Sequence, residues 1–109
     1  MGKYTDLEAW KAAHQLVLAV YRATATWPAD ERYGLTSQVR RAAVSVPANI
    51  VEGSARHGPR EFRRFVDIAL ASHAELVYLL HLAADLGYIR PDSLSALHQL
   101  TNRSGHLIW

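Results

Sequence analysis

Apolar residues recur along the chain at intervals of three and four, the spacing of one helical face, and glycine and proline cut the pattern into four pieces. The first piece runs from about Leu7 to Thr26. Leu7, Trp10, His14, Val17, Leu18, Tyr21 and Ala25 fall on one side, with Glu8, Lys11, Gln15 and Arg22 opposite. Thr5 and Glu8 have capping-box spacing. Pro28 follows, and residues 28–32 read as a turn before Tyr33-Gly34. The second piece runs from about Leu35 to Glu52, with Gly53 as its expected stop. Leu35, Val39, Ala42, Ala43, Val46 and Ile50 form a core stripe, and Gln38, Arg41, Ser45, Asn49 and Glu52 a polar one. Val44, Pro47 and Val51 make a second apolar strip in which Arg40 sits. Pro47 removes one backbone donor inside the pattern, yet the apolar period stays in phase across it. A kink at Pro47 is therefore expected rather than a break.

The third piece opens at Gly58-Pro59, with proline at the first helical position, and runs to about Leu86 with Gly87 as the stop. Phe62, Phe65, Val66, Ala69, Leu70, His73, Leu76, Val77, Leu80, Ala83 and Ala84 form a broad buried face. Ile68, Leu79, Leu82 and Leu86 widen it beyond what one bundle core is expected to cover, and Glu75 projects into that extension. The fourth piece starts near Pro91-Asp92, carries Leu94, Leu97, His98 and Thr101 on one side, and is expected to fray near Gly105. Short connections between long helices imply antiparallel neighbours. The expected fold is all-α, an up-and-down antiparallel four-helix bundle, with residues 1–109 as a single domain.

Composition narrows the function classes. Half of the 109 residues are apolar, enough for a core without metal or disulfide support. With no cysteine, disulfides, thiolate metal sites and cysteine nucleophiles are excluded. The first ten residues lack the apolar run of a signal peptide, and no stretch of about 18 uninterrupted apolar residues marks a membrane span. The expectation is a cytoplasmic protein with no membrane partner. Net charge is only +2, but residues 38–64 carry six arginines against two glutamates. Arginine suits bidentate contact with phosphate or carboxylate.

Candidate chemistry is sparse. A di-metal bundle site needs Glu-x-x-His on two helices, and no glutamate here has histidine three residues later. No metal site or cofactor is expected. His14, His73 and His98 read as core histidines satisfied by their surroundings. Ser45, Ser72 and Thr101 lack a base-and-orienter arrangement, so no catalytic residue is expected. Residues 53–58 lack the preceding strand and the Lys-Ser/Thr of a phosphate loop. Arg56 and His57 nevertheless stand beside a helix start, and Arg60, Arg63 and Arg64 follow in its first turns. With Arg41, these form either a phosphate-contact patch or a solvated basic face, with Glu61 and Asp67 available to neutralise part of it. Arg40 and Glu75 are charges inside apolar sectors. They either snorkel to solvent or pair, within the subunit or at an oligomer interface that Val44, Val51 and Leu79 would share.

Residues 33–53, YGLTSQVRRAAVSVPANIVEG, resemble the signature of four-helix-bundle proteins encoded in intervening sequences of bacterial 23S ribosomal RNA. The opening Asp6-Leu7-Glu8-Ala9-Trp10, the later Glu61-Phe62-Arg63-Arg64-Phe65, Ala69-Leu70-Ala71-Ser72 and Leu86-Gly87-Tyr88 match the same family. The likeness covers nearly the whole chain. Gly58-Pro59 departs from it, standing where a serine cap with basic residues is common, and the C-terminal tail is shorter than in many members. The resemblance implies a closed bundle that assembles into a ring, typically a homopentamer, with no known enzymatic activity. The family is also similar to the accessory protein of diversity-generating retroelements, a basic pentamer that binds nucleic acid and a reverse transcriptase. By that likeness, RNA or DNA backbone and a protein partner are the implied partners. The alternative is a structural or protein-binding oligomer with no nucleic-acid role.

Overall fold

The apolar stripes become four helices in the computed structural model, which describes residues 3–108. α1 spans Glu8–Thr24, α2 Leu35–Ser54, α3 Pro59–Asp85 and α4 Pro91–Ile108. Single 3-10 turns at Tyr4–Asp6 and Ala29–Glu31 precede α1 and α2, and no strand occurs among the described residues. Each helix packs on its neighbours in sequence, α1 also packs on α4, and the diagonal pairs make no close backbone approach. This is a closed up-and-down bundle, 44 Å long. The 27 residues of α3 alone reach about 40 Å of it.

The stripe read on α2 is the stripe that is buried: Leu35, Val39, Ala42, Ala43, Val46 and Ile50 all lie in the core. The helix runs unbroken through buried Pro47, and a kink there is not confirmed. It ends at Ser54, one residue past the expected stop at Gly53. A Cβ at Gly53 would lie 2.9 Å from Phe65 Cβ and 3.3 Å from the Phe62 carbonyl oxygen, so the missing side chain lets α2 and α3 close together at that end. Gly105 likewise sits inside an intact α4, where a Cβ would meet the His73 ring at 2.8 Å. The chain turns instead at Gly58 and Gly87, whose φ of 85° and 82° suit glycine.

The face read on α1 is rotated. Ala12, Ala13, Leu16, Val20 and Thr24 are buried, whereas Leu18, Tyr21 and Ala25 are exposed. Small residues let the helices approach, which leaves the bulky flank at the surface. Thr5 lies in the first 3-10 turn, Leu7 is the N-cap of α1, and no side chain caps it. On α4, Thr101 is buried but His98 is exposed.

The core falls into two apolar clusters. One, near the α2 N-terminus, contains Leu16, Val20, Val39, Leu76 and Leu80; the other, near the α2–α3 turn, contains Ala13, Val46, Ile50, Val66 and Ile108. Between them runs a polar layer. His73 Nε2 donates to the Thr101 carbonyl at 2.8 Å, the Ser45 and Ser72 hydroxyls meet at 2.7 Å, and the Ser104 hydroxyl is buried without a hydrogen-bond partner. Leu79, expected on a surplus strip open to a partner subunit, belongs to the first cluster and is 5% exposed. By length and composition α3 could also cross a membrane; in the bundle it packs against α2 and α4, and a third of its most apolar stretch is buried.

Candidate nucleic-acid interface

The α2–α3 turn brings Arg56, His57, Arg60, Arg63 and Arg64 to one end of the bundle, all exposed. Three of these arginines take carboxylate partners three or four residues away: Arg56 with Glu52 at 3.3 Å, Arg63 with Asp67 at 3.2 Å and Arg64 with Glu61 at 3.2 Å. The guanidiniums of Arg56 and Arg64 also lie over the Phe65 ring, 5.1 and 4.9 Å from its centroid. Exposed pairs of this kind contribute about 0–1 kcal/mol each, so an anion could displace them, but they cancel much of the local field. Arg60 and His57 form no ion pair among the described residues.

Arg41 is not part of this end. It lies 13 residues before Ser54, the last residue of α2, about 20 Å of helix axis at 1.5 Å per residue. The fold sets it instead beside Arg40 and Arg32. Together with Tyr21, Tyr33, Thr36, Ser37, Val44 and Ser45 they line a groove of about 650 Å³ between α1 and the N-terminal half of α2. No carboxylate lines this groove, and none of its three arginines forms an ion pair among the described residues.

The groove's shape has identifiable causes. Thr24, buried near the end of α1, donates its hydroxyl to the Val20 carbonyl at 2.8 Å and accepts from Arg40 Nε at 2.8 Å. The Arg40 guanidinium then lies over the Tyr21 ring, 4.5 Å from its centroid. The charge set in an apolar strip of α2 is thus accommodated within the chain, by an aromatic face and a hydroxyl, and not by Glu75. Only Nε among its donors is engaged within the described residues. Glu31, the carboxylate adjacent to Arg32, is turned elsewhere. It accepts from the Leu35 amide at 3.1 Å and from the Tyr88 hydroxyl at 2.9 Å. That hydrogen bond, with burial and the negative charges of Glu31 and Asp30, holds the Tyr88 hydroxyl above its ordinary value of 10.0. Glu75 is exposed on α3. It shares a neighbouring groove of about 330 Å³ with Arg41, Ser45 and Ser72 but forms no ion pair among the described residues.

Helical spacing sets Arg32, Tyr33, Thr36, Ser37, Arg40 and Arg41 along one side of α2 and the turn before it, but it does not show their meeting with Tyr21, which is a contact between helices. The local hint was Tyr33 itself, an aromatic residue between Arg32 and Gly34 in a turn, where the structure leaves it 91% exposed. Of the residues expected at an oligomer interface, Val44 is exposed on the groove rim, Val51 is half-buried and Glu75 is exposed. Ser45 and Ser72 bond to each other, and Asn49 Nδ2 donates to the Ser45 hydroxyl at 3.0 Å, so neither serine faces a base. No cluster of three or more metal-ligating side chains occurs among the described residues.

Residues 5–109 match the family model described as 23S rRNA-intervening sequence protein. No curated protein matches the chain. Among solved structures, it is similar to a protein with unknown function from the S23 ribosomal protein family from Bacteroides thetaiotaomicron VPI-5482. The TM-score is 0.81 and the identity 18%, over 92% of this chain and 94% of that one. At that identity the likeness speaks to the fold.

Proposed function

The chain belongs to the 23S rRNA-intervening sequence protein family, and from that premise we propose that it is a non-enzymatic cytoplasmic protein that binds the phosphate backbone of RNA or DNA. The observation that carries this reading is the α1–α2 groove: three arginines, no carboxylate in the lining, and one guanidinium held in place by Thr24 and Tyr21. Such a concave, uncompensated positive surface concentrates anions, and planar guanidinium groups match phosphate oxygens. The basic end at Arg56, His57, Arg60, Arg63 and Arg64 supplies a second, weaker contact, since three of its arginines already face carboxylates. Fluorescence anisotropy with labelled single- and double-stranded RNA and DNA across a salt series tests it. Three phosphate contacts predict a slope of log affinity against log salt of about −2 to −3. The double variant Arg32→Ala/Arg41→Ala should flatten it by roughly 1.5. Absence of binding at low salt would defeat the reading.

A second reading, of a homo-oligomer whose role is structural or protein-binding, is favoured by one observation. Val44, Ile68, Val77, Tyr78 and Leu86 leave apolar surface exposed on α2 and α3. Association of copies would cover it, and a ring is the form the family resemblance implies. Sedimentation of the full chain separates the readings when run with and without nucleic acid.

A further inference from the structure

Resting on the backbone-binding reading, we propose that the α1–α2 groove takes a single strand, with one base stacked on Tyr33 and the flanking phosphates held by Arg32, Arg40 and Arg41. Tyr33 is the most exposed large apolar side chain described, at 91%. So exposed a ring contributes nothing to the core. It nevertheless lines the groove where three arginines meet without a carboxylate. Tyr21, the other ring in that groove, already has the Arg40 guanidinium over it. Tyr33 therefore presents the free ring.

The chemistry of this pairing selects the occupant. A planar ring beside cationic groups suits a ligand that alternates a flat π-surface with a phosphate, which is a nucleotide strand. In a duplex the bases are stacked on each other inside the helix, so a side-chain ring cannot reach their faces without opening it. An unpaired strand offers them freely. Thr36 and Ser37 add hydroxyls to the same lining, suited to phosphate or sugar oxygens. Every base has a π-face, so this arrangement tolerates sequence. The apolar rim residue Val44 gives a strand further surface to cover.

The test uses the full chain and labelled oligonucleotides of about 12 nucleotides, within the range that single-strand binders cover. Four probes are compared: single-stranded RNA, single-stranded DNA, an abasic DNA strand of equal length, and duplex DNA. Tyr33→Ala, at so exposed a position, should fold as the parent does. It should weaken binding of base-bearing single strands by roughly 5- to 150-fold, while its affinity for the abasic strand and the duplex stays that of the parent. Tyr33→Trp should retain binding, and its added fluorescence should be quenched by base-bearing strands and not by the abasic one. If the parent protein binds no probe at low salt, the backbone reading itself falls, and this inference with it. If the parent binds but Tyr33→Ala loses nothing on base-bearing strands, or the abasic strand binds as tightly as they do, the backbone reading stands and the stacking inference is overturned. The RNA and DNA arms show which sugar the groove accepts.

Discussion

Replacing Gly53 with alanine puts two opposing effects at one position. Intrinsic propensity favours the change, since glycine inside a helix costs about 0.5–1 kcal/mol relative to alanine. Packing opposes it. The added Cβ would lie 2.9 Å from Phe65 Cβ and 3.3 Å from the Phe62 carbonyl oxygen. Neither atom is the end of a flexible side chain, so relief requires α3 to move away from α2. Overpacking of that kind costs typically about 1–3 kcal/mol, and a clash with main-chain-anchored atoms belongs to the upper part of that range. The net expectation is a loss of about 1–2 kcal/mol. For a domain of this size each kcal/mol lowers Tm by about 4–8 °C. Thermal unfolding followed by circular dichroism reads it. Ala48→Gly, at an exposed position of the same helix, calibrates the propensity term and should destabilise by about 0.5–1 kcal/mol. A Gly53→Ala protein as stable as its parent, or more stable, would refute the close approach of the two helices.

Two further outcomes follow from named contacts. Leu79→Ala should destabilise by about 2–5 kcal/mol in chemical denaturation, because Leu79 is a core residue and not a subunit contact; a shift in association state with unchanged stability would contradict this. Tyr88→Phe tests the link to Glu31. The Tyr88 hydroxyl titrates above 10.0 in the folded protein, mainly because it donates to Glu31. Its contribution to stability is therefore complete below 10.0 and is lost as pH rises through the raised folded value. Tm measured from neutral to strongly alkaline pH should fall more steeply for the parent than for Tyr88→Phe, and parallel curves would remove the linkage.

The fold was legible where side-chain size and polarity alternate strongly. On α2 every residue of the expected core stripe is buried, because β-branched residues, leucine and alanine recur there at one spacing between polar neighbours. On α1 the expected face is offset, since Leu7, Trp10 and Val17 on it are half-buried against the core clusters. The expectation weighted Leu18 and Tyr21, whereas close helix packing selects alanines, and a tyrosine can stay exposed when an arginine lies over its ring. Gly53, expected only to end α2, and Gly105, expected to fray α4, each also carry a helix contact that spacing does not show. Glycine both ends helices and lets them touch, and only the partner helix distinguishes the two roles. The basic end of the candidate site was visible as a local run of arginines. Its partial neutralisation was visible only in part, since Glu61 and Asp67 were evident but not their geometry. The groove was visible only in part: its lining from Arg32 to Ser45 follows helical spacing, but the anchoring of Arg40 on Thr24 of α1, sixteen residues away in sequence, does not.

The polar layer between the two apolar clusters bears on how the helices are kept from sliding. Leucine against alanine or valine tolerates displacement along an axis, because one apolar surface resembles the next. The layer does not. Shifting α4 by one turn, about 5.4 Å, would take the Thr101 carbonyl away from His73 Nε2 and remove Gly105 from beside the ring. A buried donor left without its acceptor costs about 1–3 kcal/mol, and a side chain in place of Gly105 would add a steric penalty. The clusters on either side supply adhesion without alignment, while the layer works as a key cut for one longitudinal position. Ser45 with Ser72 ties α2 to α3, and His73 with Thr101 ties α3 to α4, so one longitudinal setting is passed across three of the four helices.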